Sequence, residues 1–248
     1  MIVLFTDFGP AGPYVGQMKA VLTAAAPSVP VIDLLSAAPA YAARASAYLL
    51  AALAPDFPAG AVFLAVVDPG VGGNRAPVVV KADGQWFVGP DNGLFAIVAR
   101  RADDIAAWRI AFRPQSLSAS FHGRDLFAPV AARIAAGKDV PGSPIPPETV
   151  HRADWPDDLA EIVFIDHYGN AMTGLRAATL PGDSVLESAG HRFRSARVFS
   201  DVAPGAAFWY ENANGLAEIA VNQGRADGLG IMVGTPVAIS DGTGRSAR

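Results

Sequence analysis

The sequence predicts an α/β N-terminal domain, a sheet with helices on both faces, followed by a small all-β C-terminal domain. From residue 1 to about 138, apolar strand-like runs alternate with amphipathic helix-like stretches, the pattern of a sheet covered by helices. A proline-dense segment, DVPGSPIPPETVHRADWP at 139–156, then breaks that pattern, because proline neither continues a helix nor donates to a central ladder. Beyond it lie short β-type runs separated by turn residues, the signature of a small barrel or sandwich. The expected organisation is an α/β domain over 1–140, a linker over 141–156, a β-domain over 157–240 and a frayed polar tail over 241–248.

Taken in order, the apolar run Ile2-Val3-Leu4-Phe5 predicts a buried strand at 2–6, and the residues after Pro13 a helix over about 13–26. A strand at 29–34 and an alanine-rich helix over about 40–54 follow, then strands at 61–67, 77–82 and 85–88. A helix at 93–101, a strand at 105–112 and a helix at 124–137 complete the first domain. In the second, strands are expected at 161–165, 184–186, 196–199, 207–210, 216–221 and 236–239.

Composition narrows the function. With 51% hydrophobic and 17% charged residues in 248, the chain can bury a substantial core. A net charge of -4 with no dense Lys/Arg block points away from nucleic acid and anionic membranes and towards a small-molecule substrate. Cysteine is absent, which removes disulfides, thiolate nucleophiles and zinc-thiolate sites and fits a reducing compartment. The alanine-rich stretch at 42–54 is too short for a membrane span and carries Arg44, and the N-terminus lacks the features of a signal peptide. A cytoplasmic protein is expected.

Three polar clusters stand where regular elements end: Thr6-Asp7-Phe8-Gly9, Asp68-Pro-Gly-Val-Gly-Gly-Asn-Arg75 and Phe121-His-Gly-Arg-Asp125. In an open α/β sheet, ligands bind beyond the carboxyl ends of the strands, so Asp7 and Asp68 are expected on one rim. Asp7 suits the vicinal hydroxyls of a ribose, and equally a helix cap or turn. The glycines after Asp68 allow close approach to a ligand, but the loop lacks the Gly-Lys-Ser/Thr ending of a phosphate loop. Arg75 is either a site cation or a solvated surface charge; His122 either orients or takes a proton from water, or is a capping or core residue; Arg124 and Asp125 can simply pair. Gly89-Pro-Asp-Asn-Gly93 reads as a turn and helix cap. In Asp166-His-Tyr-Gly-Asn170, Asn170 offers a donor and an acceptor to an adenine edge, or forms a hairpin turn. Phe199, Trp209 and Tyr210 stack on a base or cation, or belong to a core. Asp68, His122, Asp166 and His167 also raise the thought of a metal, but no compact His/carboxylate spacing such as H-E-x-x-H supports one.

These motifs, together with Glu218-Ile-Ala-Val-Asn-Gln-Gly224, resemble the S-adenosyl-L-methionine hydrolases (adenosine-forming), or SAM hydroxide adenosyltransferases, which are related to fluorinase and chlorinase; the likeness runs nearly end to end. The resemblance implies an α/β domain, a C-terminal β-domain and a homotrimer whose sites lie between the N-domain of one subunit and the C-domain of its neighbour. It implies hydrolysis of S-adenosyl-L-methionine to adenosine and L-methionine without metal or added cofactor. Asp68, Arg75 and His122 match the family's water-holding set, Asp7 its ribose ligand, Asn170 an adenine-recognition residue, Asp166 the partner of the methionine amino group, and Phe199 a ring beside the adenine. Halogen-transferring relatives lack the Asp-Arg-His set, and fluorinases carry Ser where this chain has Gly123. The alternatives are a halide adenosyltransferase and a non-catalytic SAM or adenosine sensor. One departure bears on affinity or specificity: Ser36–Tyr41 replaces a stretch that often carries a His in relatives.

Overall fold

The computed structural model describes residues 1–241, which divide into two compact units, Met1–Ala153 and the residues from Asp154 onward. The tail expected at 241–248 lies, after Asp241, outside the described residues.

In the first unit the strands are β1 (Ile2–Thr6), β2 (Val31–Leu35), β3 (Val62–Val66), β4 (Pro77–Ala82), β5 (Gln85–Pro90), β6 (Ile105–Ile110) and β7 (Gly142–Ile145). The helices are α1 (Tyr14–Ala25), α2 (Ala43–Leu53), α3 (Ala96–Arg101) and α4 (Ala128–Ala135). The strands form one mixed sheet in the order β2-β1-β3-β5-β4-β6-β7, parallel from β2 to β5 and antiparallel thereafter. Every residue of β1 and β3 is buried, as continuous apolar runs require when both faces of a parallel strand are covered.

The pleat sends alternate residues to opposite faces. Ile2, Leu4, Val62, Leu64 and Val66 share a core with Met18 and Leu22 of α1 and with Val130, Ala131 and Ile134 of α4. On the other face Phe63 stacks on Phe87 at 4.9 Å, and Phe87 meets Phe95 at the start of α3. Helices α2 and α3 pack on each other, and α2 is buried along nearly its whole length. The expected sheet with helices on both faces is therefore present. Between β6 and α4 the chain makes a wide π-type turn at Gly123–Phe127, closed by the Ala128 N–H on the Gly123 carbonyl, where a plain helix over 124–137 was expected. Such turns recur at functional sites.

The segment expected as a linker over 141–156 is partly structural. Residues Gly142–Ile145 pair antiparallel with β6 as the edge strand of the sheet, and Pro147–Val150 forms a short 3-10 turn. Proline cannot serve a central ladder but is tolerated at an edge, and the division between units falls later, after Ala153.

The second unit contains β8 (Leu159–Ile165), β9 (Ala171–Arg176), β10 (Val185–Ser188), β11 (His191–Arg194), β12 (Ala207–Glu211), β13 (Leu216–Val221) and β14 (Ala238–Ser240). They form two antiparallel sheets, β12-β13-β9-β8 and β11-β10-β14, around a shared core of Ile162, Leu175, Leu186, Phe193, Trp209 and Ile219. Strands β9 and β11 were not expected, since Ala-Met-Thr-Gly-Leu-Arg and His-Arg-Phe-Arg carry weak strand signals. The strand expected at 196–199 is instead a loop entering a 3-10 turn at Phe199–Asp201.

Gly89, on β5, lies tight against β3. A Cβ there would lie 2.1 Å from the Ala65 carbonyl oxygen and 2.9 Å from the Phe95 ring. Gly89→Ala is expected to cost more than about 2 kcal/mol in urea unfolding, because a backbone oxygen in a paired strand cannot move aside. An unchanged midpoint and slope would contradict the packing described.

Candidate active site

The parallel register Thr6↔Val66 brings the carboxyl ends of β1 and β3 side by side, so Asp7 and Asp68 emerge on one rim. Beyond them is a cleft of about 260 Å³ whose lining includes Asp7, Tyr41, Asp68, Val71, Phe121 and His122. The three clusters of the first unit thus meet at one place.

Asn92, after β5, donates from Nδ2 to the Val67 carbonyl at 2.7 Å and accepts the Leu94 N–H at 3.2 Å. It closes an Asx-type turn, as its turn-like context suggested, and anchors the backbone immediately before Asp68; the expected helix cap is not formed by it, since α3 starts from Phe95 with no side-chain cap. The glycine loop then folds back tightly. Gly72 has φ +78°, and a Cβ there would meet the Ala119 carbonyl oxygen at 2.5 Å, so both its conformation and its surroundings demand glycine.

Arg75 returns over Asp68. Its Nε donates to Oδ1 at 3.0 Å and Oδ2 at 2.9 Å, Nη2 donates to Oδ2 as well, and the side chains are only 10% and 4% exposed. Nη2 also lies 2.9 Å from His122 Nδ1. A guanidinium has donors and no acceptor, so Nδ1 must accept, and the neutral imidazole carries its proton on Nε2. Burial, and then the Arg75 charge, push the His122 pKa below its ordinary 6.5. Phe127 lies beneath the guanidinium, 5.3 Å from ring centre to Cζ.

Asp7 accepts the Tyr41 N–H at 3.0 Å, and burial raises its pKa despite that bond. Tyr41, inside the Ser36–Tyr41 departure, has φ +61° and a side chain 78% exposed. A bulky residue in that conformation is strained, and its only sequence signal was that departure. Phe8, Tyr14 and Phe121 pack edge-to-face at 5.3–5.8 Å beside the cleft. Arg124 and Asp125 pair with each other, as their plainer reading had it.

The second unit has its own cleft, about 650 Å³, lined among others by Asp166, Asn170, Phe199, Tyr210 and Gln223. Asp166 staples the turn: Oδ1 accepts the Asn170 N–H at 2.8 Å and Oδ2 the Asn170 Nδ2 at 3.2 Å. Phe199 stands 5.2 Å from the Tyr210 ring. Trp209 is core, 5% exposed, with its indole N–H on the Ser184 carbonyl. Glu218, named in the sequence only as the head of a matching motif and given no role, is 2% exposed and accepts from Tyr210 and Asn212; a carboxylate inside the apolar strand Leu-Ala-Glu-Ile-Ala-Val was the available signal. Among the described residues no group of three or more His, Asp or Glu side chains is placed to hold a metal ion, and no helix is long and apolar enough to cross a membrane.

An α/β unit with a carboxylate–guanidinium–imidazole set at its strand ends, together with a β-unit bearing a polar-aromatic cleft, defines a class of small-molecule enzyme architecture. Residues 2–142 match the SAM hydroxide adenosyltransferase N-terminal domain and residues 160–238 its C-terminal domain, so the chain belongs to that family. It is 40% identical to an (R)-S-adenosyl-L-methionine hydrolase of Thermus thermophilus, over 96% of this chain and 98% of the relative. A similarly named protein of Salinispora arenicola is 37% identical, with 96% of each covered. A solved structure of a conserved Thermotoga maritima protein superposes with a TM-score of 0.86 at 30% identity, covering 96% of this chain and 99% of that one. A fluorinase of Nocardia brasiliensis is more distant, 23% identical over 55% of this chain.

The His122 environment is testable by NMR. Its imidazole is expected to titrate below 6.5 and to move upward in Arg75→Ala, because the removed cation opposed protonation while the Asp68 carboxylate stays. Unchanged or downward movement would contradict the contact.

Proposed function

We propose that this protein hydrolyses S-adenosyl-L-methionine to adenosine and L-methionine, water displacing the methionine sulfur at C5′. The observation that carries this reading is Arg75 held between the Asp68 carboxylate and a neutral His122 at the rim where Asp7 also emerges. Family membership along nearly the whole chain supports it.

In the reaction a C5′–O bond forms as the C5′–S bond breaks, and the electron pair stays on sulfur, which leaves as a neutral thioether. The sulfonium is already a good leaving group, so the protein's work is to align one water and strip its competitors. Arg75 supplies fixed positive charge where hydroxide character develops, and Asp68 aims it. His122 is held with Nδ1 accepting from Arg75, so it offers Nε2–H as a donor that orients the water oxygen, and the proton released passes to solvent. Asp7 takes the ribose hydroxyls, Asp166 the methionine ammonium, Asn170 the adenine edge, and Phe199 stands beside the base. No step calls on a metal or added cofactor. The active form is a cytoplasmic homotrimer with sites shared between subunits, as the family resemblance implies.

The test is product analysis in ¹⁸O-labelled water. Adenosine carrying one solvent oxygen, formed equally with and without chloride or fluoride, is the expected result; a 5′-halo-5′-deoxyadenosine, or binding without turnover, would sink the reading. Arg75→Ala and His122→Ala are each expected to lower kcat about 100-fold or more while KM moves far less, since removing one preorganised donor aimed at developing charge costs roughly 10²–10³-fold.

With His122 held neutral, turnover should fade on the acid side only below about 6.5, as Nδ1 gains a proton and the bond from Arg75 is lost. A pH–rate profile with its acid limb above that value would contradict this assignment.

A further inference from the structure

The first unit has a second hollow, which shares no lining residue with the cleft around Asp68 and His122. It encloses about 230 Å³, with Phe112, Val130 and Pro141 on its apolar side and Arg133 and Lys138 on its polar side. The apolar side belongs to the core of the unit: Val130 is 1% exposed, and Phe112 packs against the same cluster. It is also held in place. The N–H groups of Ala111 and Phe112 both donate to the Pro141 carbonyl, at 2.9 and 3.2 Å.

The polar side is the end of α4. Gly137 has φ +73°, and the helix closes with the Gly137 N–H on the Ile134 carbonyl at 2.9 Å and the Lys138 N–H on the Arg133 carbonyl at 3.1 Å. This is the Schellman closure, which brings together two side chains that commonly make an apolar contact. Here both are cations. Arg133 Nε donates to the Asp139 carbonyl at 2.8 Å, which steadies the guanidinium and leaves its Nη groups uncommitted. Among the described residues, neither Arg133 nor Lys138 has a carboxylate at ion-pair distance. A helix end is negative and favours cations, but the carbonyls of Ala132, Arg133 and Ile134 are already satisfied by the Ala136, Lys138 and Gly137 N–H groups. The helix alone therefore does not account for two unneutralised charges bordering an apolar hollow.

We propose that this hollow is a binding site for a compact organic anion, whose oxyanion lies between Arg133 and Lys138 and whose apolar body lies against Phe112 and Val130. A guanidinium fork suits a carboxylate or a phosphate monoester equally, and an ammonium beside it adds a point charge. An anion shared by two neighbouring cations also relieves their repulsion. The volume falls below the roughly 300–1,000 Å³ of sites for larger ligands, which limits the body to one small ring or a short chain. The proposal is independent of the hydrolase reading, because the two sites have no residue in common.

The probes are benzoate, phenyl phosphate and benzamide, the last a neutral match in shape to benzoate, titrated into the intact protein at low ionic strength and followed by NMR. Both anions are expected to bind with Kd of about 1 mM or below, and benzamide about fivefold more weakly or worse. The anion affinity should fall as salt is added, since both cations are exposed. The tighter of the two anions identifies the headgroup. Arg133→Gln and Lys138→Gln are each expected to weaken benzoate about fivefold or more. Arg133→Gln also gives up the bond to the Asp139 carbonyl, whereas Lys138→Gln removes no side-chain bond of the folded protein, so a loss in Lys138→Gln reports the anion contact itself. Arg75→Ala should bind benzoate as the parent does. Failure of both anions to bind in the millimolar range would overturn the proposal, as would benzamide binding as tightly as benzoate. Benzoate affinity unchanged in Lys138→Gln but lost in Arg75→Ala would put the anion at the Asp68–His122 rim and overturn it equally.

Discussion

A guanidinium almost withdrawn from water, with a carboxylate on one side and an imidazole on the other, is the constraint around which the first unit is arranged. Arg75 is hydrogen-bonded to both Asp68 oxygens and to His122 Nδ1. A cation so little exposed is tolerated only when its partners are in place, and losing one of them strands the rest at considerable cost. The requirement propagates outward. Asn92 fixes the carbonyl before Asp68, Gly72 lets the loop close against the Ala119 carbonyl, and the wide turn after His122 brings Phe127 under the guanidinium.

The sheet makes that convergence possible. Because β1, β3 and β5 run parallel and adjacent, the residues that follow them share a rim, and the side chains there come from separated stretches of sequence without long excursions. The two aspartates on this rim differ in surroundings. Asp68 is held by a cation, whereas Asp7 has a backbone N–H, a neighbouring negative charge and burial that favours its neutral form.

Much of this was legible in the residues, for identifiable reasons. Ile2–Thr6 and Val62–Val66 are covered on both faces, so their apolar runs announce themselves and the aspartates after them fall on the rim. The π-type turn at Gly123–Phe127 was not legible, because a helical pattern does not distinguish one hydrogen-bond offset from the next. Strand β11 was missed because three of its four residues are exposed and charged or polar, so hydrophobic alternation has little to show. Glu218 was visible as part of a motif but not as a buried acceptor, because its donors Asn212 and Tyr210 meet it only when β12 and β13 are paired. Tyr41 was hidden for a similar reason: its contact with Asp7 uses the main chain, which the identity of the side chain does not report.

The proline-rich edge strand has a practical meaning for anyone dissecting this protein. Residues Gly142–Ile145 occupy the free side of β6, and the prolines at 141, 144, 146 and 147 withhold amide hydrogens from any further chain. A gene fragment ending at residue 140, where the alternation of strands and helices stops, would discard this selvedge and leave β6 with an open ladder. The α/β half would then fray or recruit a copy of itself at that seam. Cutting after Ala153 keeps the finished border attached.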